Sequence, residues 1–456
     1  MKFLNLFCCS FTLLLVVVGC NEEKIEPLIG YTISGKVVNI HGIGVNNVRI
    51  NIGENEFVMS DAEGNWQAIN LQGSTLLVPA DSGYLFSPDS VIVASATNQI
   101  NFIARQKRIP GMIPESMLAW LIQMQLPNGL IETGEKSNLV SLYDNSLAAL
   151  TFLATGEQSK AEKIFDFFDQ RVDIELLSGK GGFSQFRDAN GIPTGHNWLG
   201  DNAWMLIALN NYAAMVDETR YQRLTDELAK WITGLQDTDG GIWGGYTANG
   251  LQIGKITEGM IDAFNAIPGY TNFHRNLLQY FSIYRWDSTQ NLLVSWPDNY
   301  YEFALDNHSW GYCGIEDFPY SVLEKTDRYI NTQTATIGGM PVTGFAPDID
   351  KDVVWLEGTG QMVIAYQKAG KFDLADYYLQ EMLKPVINST EFAGTKSLPY
   401  ASNFGTGYGA DPFWTGVNTN PSTSPCTWFL IAMLQFDPLA EGYFKSIPLE
   451  DKFWLP

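Results

Sequence analysis

The sequence predicts a small antiparallel β-sandwich followed by an all-α toroid, in which an inner ring of six helices is wrapped by an outer ring of six. Three observations lead there. First, six stretches look like copies of one another, each a polar turn running into an apolar helical face. They are YDNSLAALTFL from Tyr143, GDNAWMLIALN from Gly200, TEGMIDAFNAI from Thr257, LDNHSWGYCGI from Leu305, LEGTGQMVIAY from Leu356 and SPCTWFLIAML from Ser424. Second, a more charged series alternates with them, beginning at Pro114, Ser159, Arg220, Phe273, Pro319 and Phe372, with apolar residues at three- and four-residue steps and charges on the remaining face. Third, from Tyr31 to Ala104 the pattern changes to short period-two strands broken by Gly and Asn turns.

The chain opens on Lys2 and the apolar run Phe11 to Val18, which marks residues 1–19 as a signal peptide outside the fold. Val17-Val18-Gly19-Cys20 resembles the bacterial lipobox. The resemblance implies cleavage before Cys20, lipidation of that residue, a tether over 20–30, and a protein of the cell envelope anchored by its lipid to the outer membrane. An ordinary secretory signal is the plainer alternative. No other run is long and apolar enough to span a bilayer.

Residues 31–104 carry the strand signals ISGKVV, VRINI, FVMSD, NWQAI, SVIVA and INFIA. Gly35 to Val37, Gly44 to Val48, and the hairpin Ser60, Asp61, Gly64 and Trp66 resemble the carboxypeptidase-regulatory-like family. That resemblance implies a non-catalytic β-sandwich spacer, with Asp61 and Gly64 turning the hairpin. Residues 105–110, with three positive charges, read as a linker to the toroid of residues 111–456.

In the toroid, the dry series forms the inner ring and the half-charged series the outer one. A period near fifty residues means one helical hairpin per repeat. Successive inner helices then run parallel, so their N-termini open on one face. The first five carry Asp144, Asp201, Glu258, Asp306 and Glu357, spaced 57, 57, 48 and 51 residues apart, and these acids should converge there.

A formal charge of −22 disfavours nucleic acid and anionic surfaces as partners. Charged residues make up only 17% of the chain and aromatics 13%, which suits a neutral, hydroxylated ligand whose C–H faces stack on flat rings, although a large helical core also uses aromatics. Cys313 and Cys426, the pair left once the signal peptide is removed, fall in inner stretches and read as buried thiols as readily as a disulfide.

Glycoside hydrolysis needs one carboxyl to protonate the leaving oxygen and a second to activate water or attack the sugar. Asp is also a good helix N-cap, and the Asp-Asn pairs at 144–145, 201–202 and 306–307 read as caps. Glu caps poorly, and Thr257 offers a cap beside Glu258, so Glu258 and Glu357 are the first catalytic candidates. Asp201 and Asp411 are the next pair. Asp144, Asp306, His196 and His308, with Trp198, Trp243, Trp310, Trp355 and Trp414, are candidates for binding sugar at the mouth. Asp239 is a weaker candidate in a Gly-rich turn. Asp348, Asp350 and Asp352 alternate as in a calcium loop but lack its Gly and terminal Glu, so they read as an acidic turn, with no metal or cofactor expected.

The repeat and the acid-then-helix pattern over residues 111–456 resemble the six-hairpin glycosidase superfamily, (α/α)6 toroids that include hydrolases, uronyl hydrolases, epimerases and lyases. The resemblance implies the fold more than the reaction. Gln236, Gly240, Gly241 and Trp243 are similar to the Q-x-x-x-G-G-x-W motif of terpene cyclases, where Gln and Trp are structural; the acidic cyclase motif is absent. The leading reading is a lipid-anchored glycoside hydrolase acting on a neutral or mildly charged saccharide by paired carboxylates with inversion. The alternatives are a non-catalytic glycan-binding lipoprotein and a lyase or epimerase. The sequence is silent on sugar, linkage and oligomeric state.

Overall fold

The computed structural model describes residues 30–39, 42, 44–53, 56–81, 84–106, 111–297, 299–411, 414 and 416–455. Residues 1–29, with the expected signal peptide and Cys20, and most of the expected linker lie outside the described residues.

Two four-stranded sheets precede the helices. Strands β1 (Tyr31–Asn39), β4 (Asn65–Leu71), β6 (Tyr84–Ser87) and β8 (Thr97–Gln106) make one, in the order β4-β1-β8-β6. Strands β2 (Arg49–Ile52), β3 (Glu56–Met59), β5 (Thr75–Ala80) and β7 (Val91–Val93) make the other, in the order β3-β2-β5-β7. Alternate residues of both sheets, among them Ile33, Val37, Ile50, Trp66, Leu77 and Phe102, bury into one apolar cluster. Pairing is antiparallel except between β1 and β8, which run parallel. They are the first and last strands, so no hairpin forces them to oppose. Strands β5 and β6 escape the sequence reading because Pro79 and the turn residues around them break the period-two signal. Two motif residues have clear structural tasks. A Cβ on Gly35 would stand 1.6 Å from the Ile100 carbonyl oxygen, and Asp61 Oδ1 accepts the Glu63 and Asn65 amides at 3.0 and 2.7 Å to turn the β3–β4 hairpin.

From residue 112 the chain alternates half-wet and buried helices. The buried ones are α2 (Leu142–Thr155), α4 (Leu199–Met215), α6 (Thr257–Ala266), α8 (Asp306–Gly314), α10 (Leu356–Lys368) and α12 (Thr423–Met433). In α10 every residue from Leu356 to Gln367 is buried. The half-wet ones are α1 (Met112–Met124), α3 (Gln158–Asp169), α5 (Gln222–Gly234), α7 (Asn272–Tyr284), α9 (Ser321–Glu324) and α11 (Phe372–Leu383). Of α5 only Leu224, Leu228 and Ile232 are buried, a single i, i+4, i+8 stripe. Each buried helix packs on the next, α2 on α4 through to α10 on α12, and α12 packs on α2. Helices α3, α5, α7, α9 and α11 each pack on the buried helix before them, and α1 packs on α12.

The fifth half-wet helix departs from expectation. Only Ser321–Glu324 is α-helical; Lys325–Tyr329 tightens to a 3-10 turn, and Ile330 starts a strand. Thr326 Oγ1 donates to the Leu323 carbonyl at 2.7 Å, a local bond that competes with helix propagation. The chain then forms a hairpin of Ile330–Thr334 with Pro341–Phe345, so strand is not confined to the N-terminal region. Glu381 on α11 accepts the Thr343 amide at 2.7 Å and holds this hairpin in place.

After α12 the chain crosses the C-terminal ends of the buried helices. Asn211 donates to the Pro438 carbonyl and Asn265 to the Leu439 carbonyl, both at 2.9 Å, while Lys368 pairs with Asp437 at 2.9 Å. One end is thereby covered, and the other carries the acids. Cys313 in α8 and Cys426 in α12 are buried free thiols.

Candidate active site

The first turns of the buried helices open into one cavity of about 1090 Å³, lined by Asp144, Asp201, Glu258, Asp306 and Glu357 together with Asp411 and Asp262. The acids stand inside the helices. Asp144 and Asp201 are the third residues of α2 and α4, Glu258 and Glu357 the second of α6 and α10, and Asp306 the first of α8.

This corrects the capping expectation. Ser141 caps α2, its hydroxyl accepting the Asp144 amide at 3.2 Å. Thr257 is the first residue of α6 and caps nothing; its hydroxyl donates to the Val294 carbonyl at 2.6 Å. The Asn of each Asp-Asn pair instead ties its helix to a neighbouring loop. Asn145 accepts the Ile131 amide and donates to the Ile131 and Ser141 carbonyls at 2.7–2.9 Å. Asn202 does the same with Phe183 and Trp198, and Asn307 meets Ser295. With the Asn holding the loop, each Asp is turned into the cavity.

One turn deeper lies an aromatic floor. Trp204 of α4 sits 5.6 Å from both Trp310 of α8 and Trp428 of α12, and 5.5 Å from Tyr143 of α2. Trp198, Trp355 and Trp414 line the wall, the last two 4.9 Å apart. Among the described residues, no Lys, Arg or His lines this cavity.

Burial without a counter-cation shapes the protonation. Burial, then the charge of Glu357, pushes Asp201 up to about 8. Burial, then Glu357 and Asp201, raises Asp144 well above the carboxylate range. Burial likewise raises Glu258, helped by Asp306, Asp262 and Asp411. Burial takes Asp306 to about 7, while the Asn307 amide and a hydrogen bond with Glu258 hold it down. Burial and these neighbours therefore favour the protonated form of Glu258, which hydrogen-bonds Asp306. Burial takes Glu357 to about 7 against hydrogen bonds from Tyr143 and Ser424. Tyr143 donates to Glu357 Oε1 at 2.7 Å and accepts from the Trp428 indole at 2.9 Å, a relay that favours the ionised form of Glu357. One protonated and one ionisable carboxyl in a single cavity is the arrangement that acid–base catalysis needs.

Three binding candidates fall elsewhere. His308 is two residues past Asp306 on α8 and so points to the far side, where Nδ1 meets the Ala304 carbonyl at 2.8 Å and the ring packs on Tyr329. His196 lies in a loop whose backbone pairs with Gln185, off the cavity wall. Trp243 sits at the end of the turn after α5, with Lys255 over its ring at 4.7 Å. The same Lys255 engages Asp237 and Asp239 at 2.7 Å, which removes Asp239 from consideration. Gln236 bridges the Gly240 and Phe273 carbonyls at 3.0 and 2.9 Å, a structural tie. Gln125 does the same with Gly129 and Lys160, an internal repeat of the turn that sequence reading missed. Asp348, Asp350 and Asp352 serve separate loops, accepting from Gly409, Tyr301 and Thr406.

Asp262, Tyr143, Tyr400 and Ser424 line the cavity without having been singled out in the sequence. Tyr143 and Ser424 belong to the repeat stretches and could have been found by their phase. Asp262 is the one acid in the interior of an otherwise apolar helix, a signal that was present and passed over.

No protein-family model matches the sequence, and no curated protein matches it. Solved structures do resemble it. A glycosidase variant in complex with glucose is 13% identical, covers 72% of this chain and 96% of its own, and superposes with a TM-score of 0.50. A D-mannose isomerase gives the same values. A family 76 glycoside hydrolase from a bovine Bacteroides thetaiotaomicron strain covers 88% of this chain and 97% of its own at 12% identity, with a TM-score of 0.48, too remote to argue from. At such identities the likeness is one of fold, shared by hydrolase and isomerase alike.

Proposed function

We propose that this protein is a lipid-anchored glycoside hydrolase, built as a closed (α/α)6 toroid behind a carboxypeptidase-regulatory-like β-sandwich spacer. The observation that carries the reading is one cavity, floored and walled by tryptophans, that nine carboxylate side chains line. Two carboxyls of unlike protonation are the machinery of glycosidic cleavage, and indole faces are the natural bed for a sugar ring. Glu258 acts as general acid, since burial and its acidic neighbours favour its protonated form beside Asp306. Glu357, steadied by Tyr143, is the base that orients water, which makes the reaction inverting. Asp201 and Asp411 flank this pair and are the next to test.

A lyase or epimerase on this fold is less well supported, because a uronate or a ring-opened sugar calls for cationic or imidazole groups and none lines the cavity among the described residues. A purely binding role is also less well supported: neither Glu258 nor Glu357 is tied up in an ion pair among the described residues. The substrate is an uncharged saccharide, and the N-terminal lipid holds the enzyme at the outer membrane. Incubating residues 21–456 with a panel of neutral and acidic glycans tests this. Reducing ends should appear from a neutral glycan, and release from uronic-acid polymers alone would reject the reading.

A further inference from the structure

Asp262 is the sixth residue of α6, about one turn below Glu258. It is 1% exposed, yet it lines the cavity. By strict geometry neither of its oxygens has a hydrogen-bonding partner in the protein, although the Trp204 indole N–H lies close enough to lower its pKa. The indole N–H of Trp310, which also lines the cavity, is buried and equally without a protein partner, as is Asp201 Oδ2. Unpaired buried polar atoms cost stability, and a fold that only had to close its floor would fill these positions with apolar side chains, as it does with Phe264 two residues on.

We infer that Asp262, with the Trp204 and Trp310 indole N–H groups, forms the floor of a subsite that recognises a hydroxyl group of one uncharged sugar unit. This rests on the proposed carbohydrate site and adds to it a specificity-determining residue. In its protonated form, which burial and then the charges of Asp306 and Asp201 favour, the carboxyl offers one O–H donor and one acceptor. A sugar hydroxyl is the complementary donor and acceptor in one atom, and the two indoles supply further donors. A sugar carboxylate would meet eight other carboxyls and no cation among the described residues.

The test is calorimetric binding of the methyl glycosides of glucose, mannose and galactose, their monodeoxy analogues, and a methyl glucuronoside. The unmodified protein should bind at least one neutral glycoside, lose roughly 10- to 100-fold for one deoxy position, and bind the glucuronoside more weakly. Asp262→Ala should bind the parent glycoside roughly 10- to 100-fold more weakly and no longer distinguish that deoxy analogue, whereas Asp262→Asn, which keeps a donor and an acceptor, should restore most of both. Asp262→Asn should also unfold at a higher temperature than the parent, because a group kept for ligand binding is a burden to the free fold, while a structural carboxyl would be missed. Unchanged deoxy discrimination in Asp262→Ala, or no binding of any neutral glycoside, overturns the inference. Discriminating binding by a protein that hydrolyses nothing would instead reject the hydrolase reading and leave this subsite standing.

Discussion

Replacing Asp201 by Asn should change how stability depends on pH, and the size of the change follows from its burial. In the unfolded chain an aspartate titrates near 3.8, whereas in the cavity burial and Glu357 move Asp201 up to about 8. Between those values the folded protein holds a proton on Asp201 that the unfolded chain has lost. Stability contributed by this group is therefore greatest at low pH and falls as pH rises, by about 1.4 kcal/mol per unit, until it levels above 8. The span of about four units sets a ceiling of about 6 kcal/mol, part of which belongs to Glu357 because the two titrate together. Asp201→Asn removes that slope, so the variant should gain on the parent steadily from pH 5 to pH 8. His274 and His308, which burial lowers to about 4, work in the opposite direction below pH 6.5 and are common to both proteins, so they cancel in the difference curve, which reports Asp201 with the acids coupled to it. Urea unfolding at unit pH steps, followed by tryptophan emission, is the assay. All the tryptophans except Trp66 lie in the helical region, so the signal reports that part of the chain. Parallel curves for variant and parent from pH 5 to 8 would refute the reasoning.

Other consequences are simpler. Tyr143→Phe removes the hydrogen bond that lowers Glu357; the acidic limb of the kcat/KM profile should move to higher pH, and an unmoved limb would separate Glu357 from that limb. Asn202→Ala leaves the buried Phe183 amide and carbonyl unpaired and should cost about 2–6 kcal/mol in denaturant unfolding, since each buried group left unsatisfied costs about 1–3 kcal/mol. Cys20→Ala should abolish fatty-acid labelling and membrane fractionation, and unchanged labelling would dismiss the lipobox.

The helical scaffold was legible because its signal is periodic. Inner helices that are dry all round and outer helices wet on one side differ in composition at every turn, and the first-turn acids share a phase. Their orientation into one cavity followed from parallel inner helices. What the sequence hid was local. The Asp-Asn pairs read as caps because capping is the commoner use of Asp at a helix start, yet here Asn carries the loop and the Asp is released inward. His308 was placed at the mouth by its nearness to Asp306, but two residues along a helix turn a side chain to the far face. Trp243 and Asp239 were drawn to the site by a Gly-rich loop whose contacts are spent on Lys255. Asp262 was obscured because it lies outside the repeat's opening turn.

The central claim is that Glu258 and Glu357 divide acid and base between them, and hydrolysis of a glycoside with a poor leaving group by Glu258→Gln and Glu357→Gln tests it most directly. Each variant should fold and bind sugar as the parent does while turning over roughly 10²–10⁴-fold more slowly, the range of lost acid–base catalysis. The parent's first-formed product, followed by NMR, should carry the inverted anomer. Turnover near the parent's rate by either variant would remove that residue from the chemistry, and a retained anomer would contradict the division of roles.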